Sequence, residues 1–451
     1  MEKEFNRAID VLTGLLEGRV DSYEIYLSAG KGRIVEAKDG KVDAFRVSSS
    51  SGVGLRIIVD GRPGFGYSSV LAEDALKAVV ETTLSGSIGA TADSFLGFPS
   101  PAVRHDVSSP GALDVYDASF EAASEDELIE RALDIEKNAM GFDSRVKRVR
   151  KAAYSESMSS ARTVNSNGVD TSYVGTFFSG SVVAVAEENG ESQMGWDALM
   201  GHKRADVDSR LIGQGAAERA VGMLGARPIS TVRCPAVFEN TVVMELLGAL
   251  ASSFLADNVQ KGKSMLIGKR DKKVASAVLN LWDDGLMVGG WATAPHDCEG
   301  VPRQKTPLLS GGVCRGYLYD TYWARRGGEG STGNASRSGF KSVPHVGTSN
   351  LYIERGDTSR DDLFKEMGRG LFIRELMGVH TVDPVSGEFS LGASGVWIEG
   401  GRPAYPVRGI AIAGTLLDLF SKVEVVGSDM RFIGSVGSPS LLFGEVNASG
   451  R

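Results

Sequence analysis

The chain holds five histidines, and their spacing decides whether it could bind a catalytic metal. A zinc peptidase pairs histidines about one helical turn apart, with a glutamate beside them that activates water. No two histidines of this sequence lie within ten residues of each other: His105, His202, His296, His345 and His380. The sequence therefore predicts no helical zinc site in this chain.

The segment around His296 is the densest group of potential metal ligands in the sequence. Residues 295–299 read P-H-D-C-E, so an imidazole, a thiol and two carboxyl groups are consecutive. His296 and Cys298 could supply two ligands of a metal site, although residues at i and i+2 often diverge in a strand or turn. No second pair accompanies them, and the simpler interpretation is that they belong to a structural loop.

His380 offers a second chemical interpretation, because Asp383 and Ser386 follow it closely. Ser, His and Asp could form a nucleophilic triad if the fold brought them within hydrogen-bond distance. The sequence has no G-x-S-x-G turn of the kind that presents a nucleophilic serine. We therefore predict no catalytic residue here, and we interpret residues 380–390 as a polar loop between strands that could line a cleft.

Residues 260–264 read Q-K-G-K-S and match only the end of a phosphate-binding loop. The position of the first glycine of such a loop is occupied by Asp257, whose carboxylate would repel phosphate. The segment also follows a predicted helix rather than a strand. The sequence therefore predicts no nucleotide site, and we expect no other cofactor site in this chain.

Turns and caps mark the elements that must position these residues. Asp-Gly and Asn-Gly pairs favour tight hairpins, because glycine accepts positive φ angles. Ser124 and Glu127 form a predicted capping box that starts a helix, which Gly141 ends. Other helices are predicted at residues 3–17, 72–84 and 209–224, and hairpin turns at residues 39–40, 60–61, 167–168 and 189–190.

The best candidate for a domain boundary is the R-P-I-S segment at residues 227–230. A short strand is predicted at residues 234–238, followed by an apolar helix at residues 240–257 with Asn240 as its cap. The remainder is Gly-rich and β-type, with two short helices. The predicted fold class is α+β with two domains: residues 1–226, an α/β domain with helices on a mixed sheet, and residues 227–451, a β-rich domain.

Charge and composition exclude several classes of partner. The 451-residue chain has a formal net charge of −8, which argues against nucleic acid as the main partner. Three cysteines are too few for a disulfide framework and fit a reducing compartment. The most apolar stretch, residues 241–256, contains a glutamate and is shorter than the ~20 residues of a membrane span. We expect a cytoplasmic protein that binds neither nucleic acid nor membrane.

Several segments of the second half form a recognisable series. Residues 298–306 read C-E-G-V-P-R-Q-K-T, residues 331–335 read S-T-G-N-A, and residues 386–390 read S-G-E-F-S. G-V-W-I-E follows at residues 395–399 and G-S-P-S-L-L at residues 437–442. In this order the segments resemble the TldD/PmbA family, in which PmbA is also called TldE and older naming has "modulator of DNA gyrase". The resemblance covers about residues 230–451, and the N-terminal half fits it more loosely.

Departures from the family pattern indicate which branch the chain resembles. The TldD branch carries H-E-x-x-x-H on the helix after the central strand, and a late cysteine is its third zinc ligand. Here the histidine positions fall at Leu247 and Ser252, and the glutamate position falls at Gly248. The late loop is shortened to residues 429–436 and has no cysteine. The chain therefore resembles TldE, the companion subunit, although Cys298 stands where the family usually has aspartate.

The resemblance implies a heterodimer with a zinc-bearing TldD-type subunit that acts as a metallopeptidase on unfolded or modified peptides. Zinc is expected in the partner and not in this chain. By analogy, two loops of this chain would line the peptide cavity. Their candidate lining residues are Ser331, Thr332 and Asn334 in one loop, and His380, Ser386, Glu388 and Ser390 in the other.

Two other functional classes stay open on the sequence alone. The chain could be a self-contained hydrolase that uses His380 or the His296/Cys298 cluster. It could instead be a regulatory binding protein, for gyrase or another target, without a peptidase partner. In isolation, the chain could also form a homodimer.

Overall fold

The N-terminal half is built on one six-stranded sheet in the computed structural model, which describes residues 2–102 and 110–450. The strand order is β3-β2-β1-β4-β5-β6, and every pairing in this sheet is antiparallel. The strands are long, and all but one of the connections between sequence neighbours are tight turns. They are β1 (Ser22–Lys38), β2 (Lys41–Val59), β3 (Arg62–Ser68), β4 (Val146–Asn165), β5 (Asp170–Glu188) and β6 (Glu191–Gly201).

The fold class is confirmed as α+β, but the mixed sheet predicted for this half is wrong. The predicted Asp-Gly turns explain why, because two-residue hairpins can join only antiparallel strands. Asp39 and Gly40 both have positive φ angles, of 54° and 69°, and the Asp60-Gly61 and Asn189-Gly190 turns have the same form. Parallel pairs occur in the C-terminal half instead, between β7 and β14 and between β13 and β19.

Helices pack on this sheet as two groups, each with its own apolar core. The first group packs on β1 and β2, and the second packs mainly on β4, β5 and β6. The predicted capping box is confirmed, since Ser124 accepts from the Glu127 amide and Glu127 accepts from the Ser124 amide. The helices are α1 (Glu2–Leu16), α2 (Glu73–Ile88), the short α3 (Ser119–Ala122), α4 (Glu125–Met140) and α5 (Ser209–Val221).

The C-terminal half contains a sheet that closes on itself. Its order is β16-β15-β14-β7-β20-β17, and an additional pairing of β16 with β20 completes a barrel. A second sheet has the order β10-β9-β8-β13-β19-β18, and β11 pairs with β12. The strands are β7 (Val232–Phe238), β8 (Leu281–Asp284), β9 (Lys305–Ser310), β10 (Val313–Cys314), β11 (Ala335–Ser336), β12 (His345–Val346), β13 (Leu351–Ile353), β14 (Gly370–Met377), β15 (Glu388–Glu399), β16 (Arg402–Thr415), β17 (Val423–Val426), β18 (Arg431–Ile433), β19 (Val436–Ser438) and β20 (Leu441–Ser449).

The helices of this half are short, and the apolar helix differs from its prediction. It ends at residue 251, and a 3-10 turn (Ser252–Phe254) separates it from α7. Asn240 is not its cap; it is the first helical residue, and its amide donates to the Asp429 carbonyl over 3.0 Å. The helices are α6 (Asn240–Ala251), α7 (Ala256–Gln260), α8 (Thr321–Gly327), α9 (Arg360–Met367) and α10 (Leu416–Ser421).

Helix α5 ends at Val221 and strand β7 begins at Val232, and the predicted boundary between residues 226 and 227 falls in this connection. That boundary stays a prediction. Among the described residues, none of the helices combines the length and the apolar composition that crossing a membrane requires.

Candidate functional site

Helix α6 is the place at which the resemblance locates a zinc motif, and here it is part of the core. It leaves the end of β7 and buries Val242, Val243, Leu246, Leu247 and Leu250, each at most 3% exposed. The buried stripe is the one predicted from the sequence. The helix is therefore held by apolar packing from one side along its whole length.

The residues at the family's metal positions do not fit a zinc ion. Leu247 is 1% exposed and has no donor atom, and Gly248 faces open space, with no atom within 4 Å of an ideal Cβ. Ser252 begins the following 3-10 turn, and its hydroxyl is directed at the Ala249 carbonyl. Within residues 2–102 and 110–450, no group of three or more His, Cys, Asp or Glu side chains is arranged to hold a metal. We derive no metal-dependent step in this chain.

A cavity of about 220 Å³ lies beside the outer face of α6, between the two halves of the chain. We call it the α6 cavity. Strand β6 contributes Trp196, α6 contributes Glu245, and β14 contributes Glu375, whose carboxylate accepts from the Ser394 hydroxyl over 2.8 Å. Burial raises the pKa of Glu245, and the neighbouring charge of Glu375 raises it further. The cavity is therefore polar at its base and aromatic at its rim.

The 380–390 loop is placed next to α6. Its first turn, Val379–Thr381, lies against the helix, and the side chains of His380, Ser386, Glu388 and Ser390 are all exposed. Asp383 shapes the loop, because its carboxylate accepts from the amides of Ser386 and Val385, at 2.7 and 2.8 Å. These amide bonds hold the pKa of Asp383 below its usual range.

These contacts give the loop no triad. Asp383 is occupied by the loop's own amides, and Ser386 accepts from the Glu388 amide over 3.2 Å. In the part of the chain that the structure describes, no hydrogen bond joins His380 to Asp383 or to Ser386. The loop is therefore a polar surface beside α6, and its role in lining a peptide cavity stays a prediction.

The 331–334 loop is partly a buried brace. Asn334 is 4% exposed, and its amide donates to Asp283 over 2.8 Å and to the Gly347 carbonyl over 3.0 Å. Its carbonyl oxygen accepts from the Thr332 hydroxyl at 2.6 Å, and Ser331 donates to the Tyr319 carbonyl. Asn334 can therefore affect a bound peptide only through the half-buried residues above it, Ser331 and Thr332.

The His296/Cys298 cluster lies in a loop that packs against the N-terminal sheet. The Asp297 carboxylate between them accepts from three backbone amides, those of Glu299, Val301 and Ala335, at 2.9 to 3.0 Å. Burial raises the pKa of the Cys298 thiol well above its usual value and lowers the pKa of His296. A protonated thiol is a poor nucleophile, so this cluster does not form a hydrolytic centre.

The same loop carries an ion network that the sequence analysis missed. Glu299 accepts from Arg56 of β2 over 2.9 Å and from the Thr321 amide over 3.1 Å. Arg56 also lies 3.3 Å from Glu24 of β1, and Glu24 in turn is paired with Arg337. Burial alone would raise the pKa of Glu299, but the charge of Arg56 and the hydrogen bonds outweigh it and lower that pKa.

This network joins the two halves of the chain. Glu24 and Arg337 have fully buried side chains, and Glu299 is 2% exposed. A charged residue in the middle of an apolar strand was the available signal, since Glu24 lies between Tyr23 and Ile25 on β1. Two of the recognisable sequence segments therefore hold the halves together: the segment of Glu299 and the one that ends just before Arg337.

Asp320 lies next to this network and gives a prediction about pH. It caps α8 by accepting from the Trp323 amide at 2.8 Å, and it is 4% exposed. Burial, followed by the charge of Glu299, raises the pKa of Asp320 to about 6. A raised carboxyl pKa stabilises the fold below the unfolded value, near 4, and that contribution is lost as pH rises to about 6.

Replacing Asp320 by asparagine should therefore stabilise the chain by about 1–3 kcal/mol at pH 8, because asparagine keeps the cap without a buried charge. At pH 4 the change should be much smaller. Urea unfolding at both pH values is the measurement, and Asp208→Asn at the more exposed cap of α5 is the control. An equal gain at both pH values would contradict the prediction.

Comparisons with known proteins agree along the whole chain. Models of the PmbA/TldA metallopeptidase family match it as domain 1 over residues 23–87, as the central domain over residues 118–224 and as the C-terminal domain over residues 231–450. The metalloprotease PmbA of Escherichia coli O157:H7 is 27% identical over 100% of this chain and 97% of its own length.

Two solved structures share the fold. A Thermotoga maritima protein, described in its crystal structure as a proposed modulator of DNA gyrase, superposes with a TM-score of 0.90 at 26% identity. That match covers 99% of this chain and 100% of the other. TldE from Thermococcus kodakarensis superposes with a TM-score of 0.89 at 23% identity, over 98% of this chain and 100% of the other, and that likeness concerns the fold alone.

Proposed function

This chain belongs to the PmbA/TldA metallopeptidase family, and we propose that it is the zinc-free, TldE-like subunit of a cytoplasmic peptidase complex. The other subunit would be of the TldD type and would carry the metal. The substrate would be an unfolded or modified peptide, and this chain would supply walls of the cavity that admits it.

Helix α6 is the observation that carries this proposal. A helix that supplied two histidines and a glutamate would need those residues on its accessible face, whereas here Leu247 points into the core and Gly248 presents no side chain. Leu246 and Leu250 are 0% and 3% exposed, which suits a structural element. The helix is retained in its place after the central strand, but the groups that could perform hydrolysis are absent from it.

The neighbourhood of α6 supports a role in peptide access. The α6 cavity and the exposed 380–390 loop lie on the same helix, and together they provide carboxylates, hydroxyls and one imidazole at an accessible surface. Extended peptides present unpaired amides and carbonyls that such groups can bind. In the complex, the zinc of the partner would activate water, and this chain would bind and orient the peptide.

The proposal predicts that the chain alone cleaves no peptide and that a TldD-type subunit needs it for full activity. We expect the mixture to exceed either subunit by about 10²-fold or more, the size of a substrate-positioning effect. Each subunit and the mixture should be assayed on the same unfolded peptide, with gel filtration to detect the complex. A TldD-type subunit that cleaves equally fast alone would refute the proposal, and cleavage by this chain alone would favour a self-contained hydrolase.

Within that assay, Glu388→Gln should lower the activity of the complex while this chain stays folded, because Glu388 is exposed in the 380–390 loop. Glu399→Gln is the matched control, since Glu399 is an exposed glutamate at the opposite end of the same strand, β15. Circular dichroism establishes that both variants are folded. Equal activity of the two variants would remove this loop from the peptide-binding surface.

A further inference from the structure

A second cavity, of about 220 Å³, lies where β1, β4 and β5 of the N-terminal sheet face the loops of the C-terminal half. We call it the junction cavity. Tyr26, Tyr173 and Phe177 line it from the sheet side, and Trp291 and His296 line it from the loop side. Neither the helix α6 nor the 380–390 loop contributes to it, so it is separate from the site proposed above.

The aromatic part of the junction cavity is rigid. Phe177 and Trp291 meet edge to face with their ring centroids 5.0 Å apart. His202 lies behind them, 4.8 Å from Phe177, and its two ring nitrogens are 2.6 and 2.9 Å from the carbonyl oxygens of Thr176 and Gly290. Because His202 is 1% exposed and held from both sides, the edge-to-face corner is formed before any ligand binds.

One polar group of the junction cavity has no partner. Nδ1 of His296 is buried, and no atom of the described residues forms a hydrogen bond with it. Burial lowers the pKa of His296, which favours the neutral ring. Nδ1 of a neutral imidazole is either a donor or an acceptor, depending on the tautomer, and a hydroxyl group can satisfy both cases. A buried unsatisfied nitrogen is costly, so a ligand hydroxyl at this position would be favourable.

The charges around the junction cavity favour a neutral ligand. Arg337 is paired with Glu24, and the Asp297 carboxylate is taken up by three backbone amides. Tyr173 is uncharged at neutral pH, because burial raises its pKa to about 12. The Cys298 thiol is protonated, so it offers no covalent chemistry. A charged ligand would therefore lose its hydration without finding a free counter-ion.

We propose that the junction cavity is a binding site for a neutral phenol-type ring, which packs in the corner of Phe177 and Trp291 and places its hydroxyl at Nδ1 of His296. The size agrees, since a dry protein cavity of roughly 150 Å³ already accepts benzene. Such a ring can come from a free small molecule or from a tyrosine side chain of a peptide, and the experiment separates these sources.

The test is calorimetric titration of the full chain with p-cresol, toluene and the tripeptide Gly-Tyr-Gly. We expect saturable binding of p-cresol, tighter than toluene by roughly two- to ten-fold, the effect of one net hydrogen bond. Binding of p-cresol alone assigns the site to free phenols, and binding of the tripeptide as well assigns it to tyrosine side chains. The absence of saturable p-cresol binding, or equal binding of toluene, overturns the proposal.

Variants tie the binding to the junction cavity. His296→Leu should abolish the preference for p-cresol over toluene, whereas His345→Leu, at an exposed histidine, should leave that preference unchanged. Ala161→Leu fills the cavity from the sheet side and should weaken all binding by at least ten-fold. Ala292→Leu fills it from the loop side and replaces Ala161→Leu if circular dichroism shows that variant unfolded. Unchanged binding in a folded, cavity-filled variant would place the ligand elsewhere.

Discussion

Replacing Leu247 by aspartate is expected to prevent the chain from folding. Leu247 is 1% exposed within the C-terminal core, beside Leu246 and Leu250. Losing a buried leucine costs about 2–5 kcal/mol, and burying an unpaired carboxylate adds several more. Because a typical domain is stable by about 5–15 kcal/mol in total, the sum is enough to unfold this half.

Gly248→Asp is the matched control, because it introduces the same charge at the adjacent position. No atom lies within 4 Å of an ideal Cβ at Gly248, so the side chain would extend into open space. We expect a change in stability within about 0.5 kcal/mol, as for most surface substitutions. Soluble yield, circular dichroism and urea unfolding should be measured for both variants. If Leu247→Asp folds as well as Gly248→Asp, α6 does not have the structural role described here.

The outcome bears directly on function. Leu247 and Gly248 are the positions at which a TldD-type helix would carry a zinc ligand and the glutamate that activates water. A large effect at one and a negligible effect at the other would mean that the packing of α6 no longer leaves room for that chemistry. The helix would then be a scaffold beside the α6 cavity, which is the role the zinc-free subunit requires.

Local patterns in the sequence predicted the local structure well. The Asp39-Gly40 and Asp60-Gly61 turns and the Ser124 capping box were predicted, because each depends on only a few neighbouring residues. The buried stripe of α6 was predicted for the same reason. Asn240 was assigned wrongly as a cap, because its amide is drawn to the Asp429 carbonyl, which is remote in sequence.

What the sequence could not predict depends on long-range pairing. Strands β16 and β20 close the barrel, and no local signal specifies that they meet. The 331–334 loop reads as a polar surface loop, yet the buried carboxylate of Asp283 draws Asn334 inside. Glu24, Arg56, Glu299 and Arg337 are spread over more than 300 positions, and only the fold brings them together. The roles of these four residues could therefore not be derived from spacing.

Replacing Arg337 by methionine is expected to destabilise the chain by about 3–5 kcal/mol, the usual cost of removing one member of a buried ion pair. Glu24, which is 0% exposed, would keep only Arg56, at 3.3 Å, and Arg56 must also serve Glu299. Methionine fills much of the volume of the arginine side chain, which lies over the Tyr26 ring at 4.6 Å, so the loss reports mainly on charge. Urea unfolding is the measurement.

Two further variants separate the buried charge from its position. In Glu24→Gln/Arg337→Met no buried charge is left without its partner, so the double variant should recover much of the loss; equal destabilisation by single and double variants would contradict the pairing. Arg46→Met removes a surface arginine that pairs with Glu36 across the same two strands, and it should cost at most about 1 kcal/mol. Because Arg337 lies just after the S-T-G-N-A segment and faces β1, a large effect here and a small one at Arg46 would indicate that this part of the family's sequence pattern holds the two halves of the chain together.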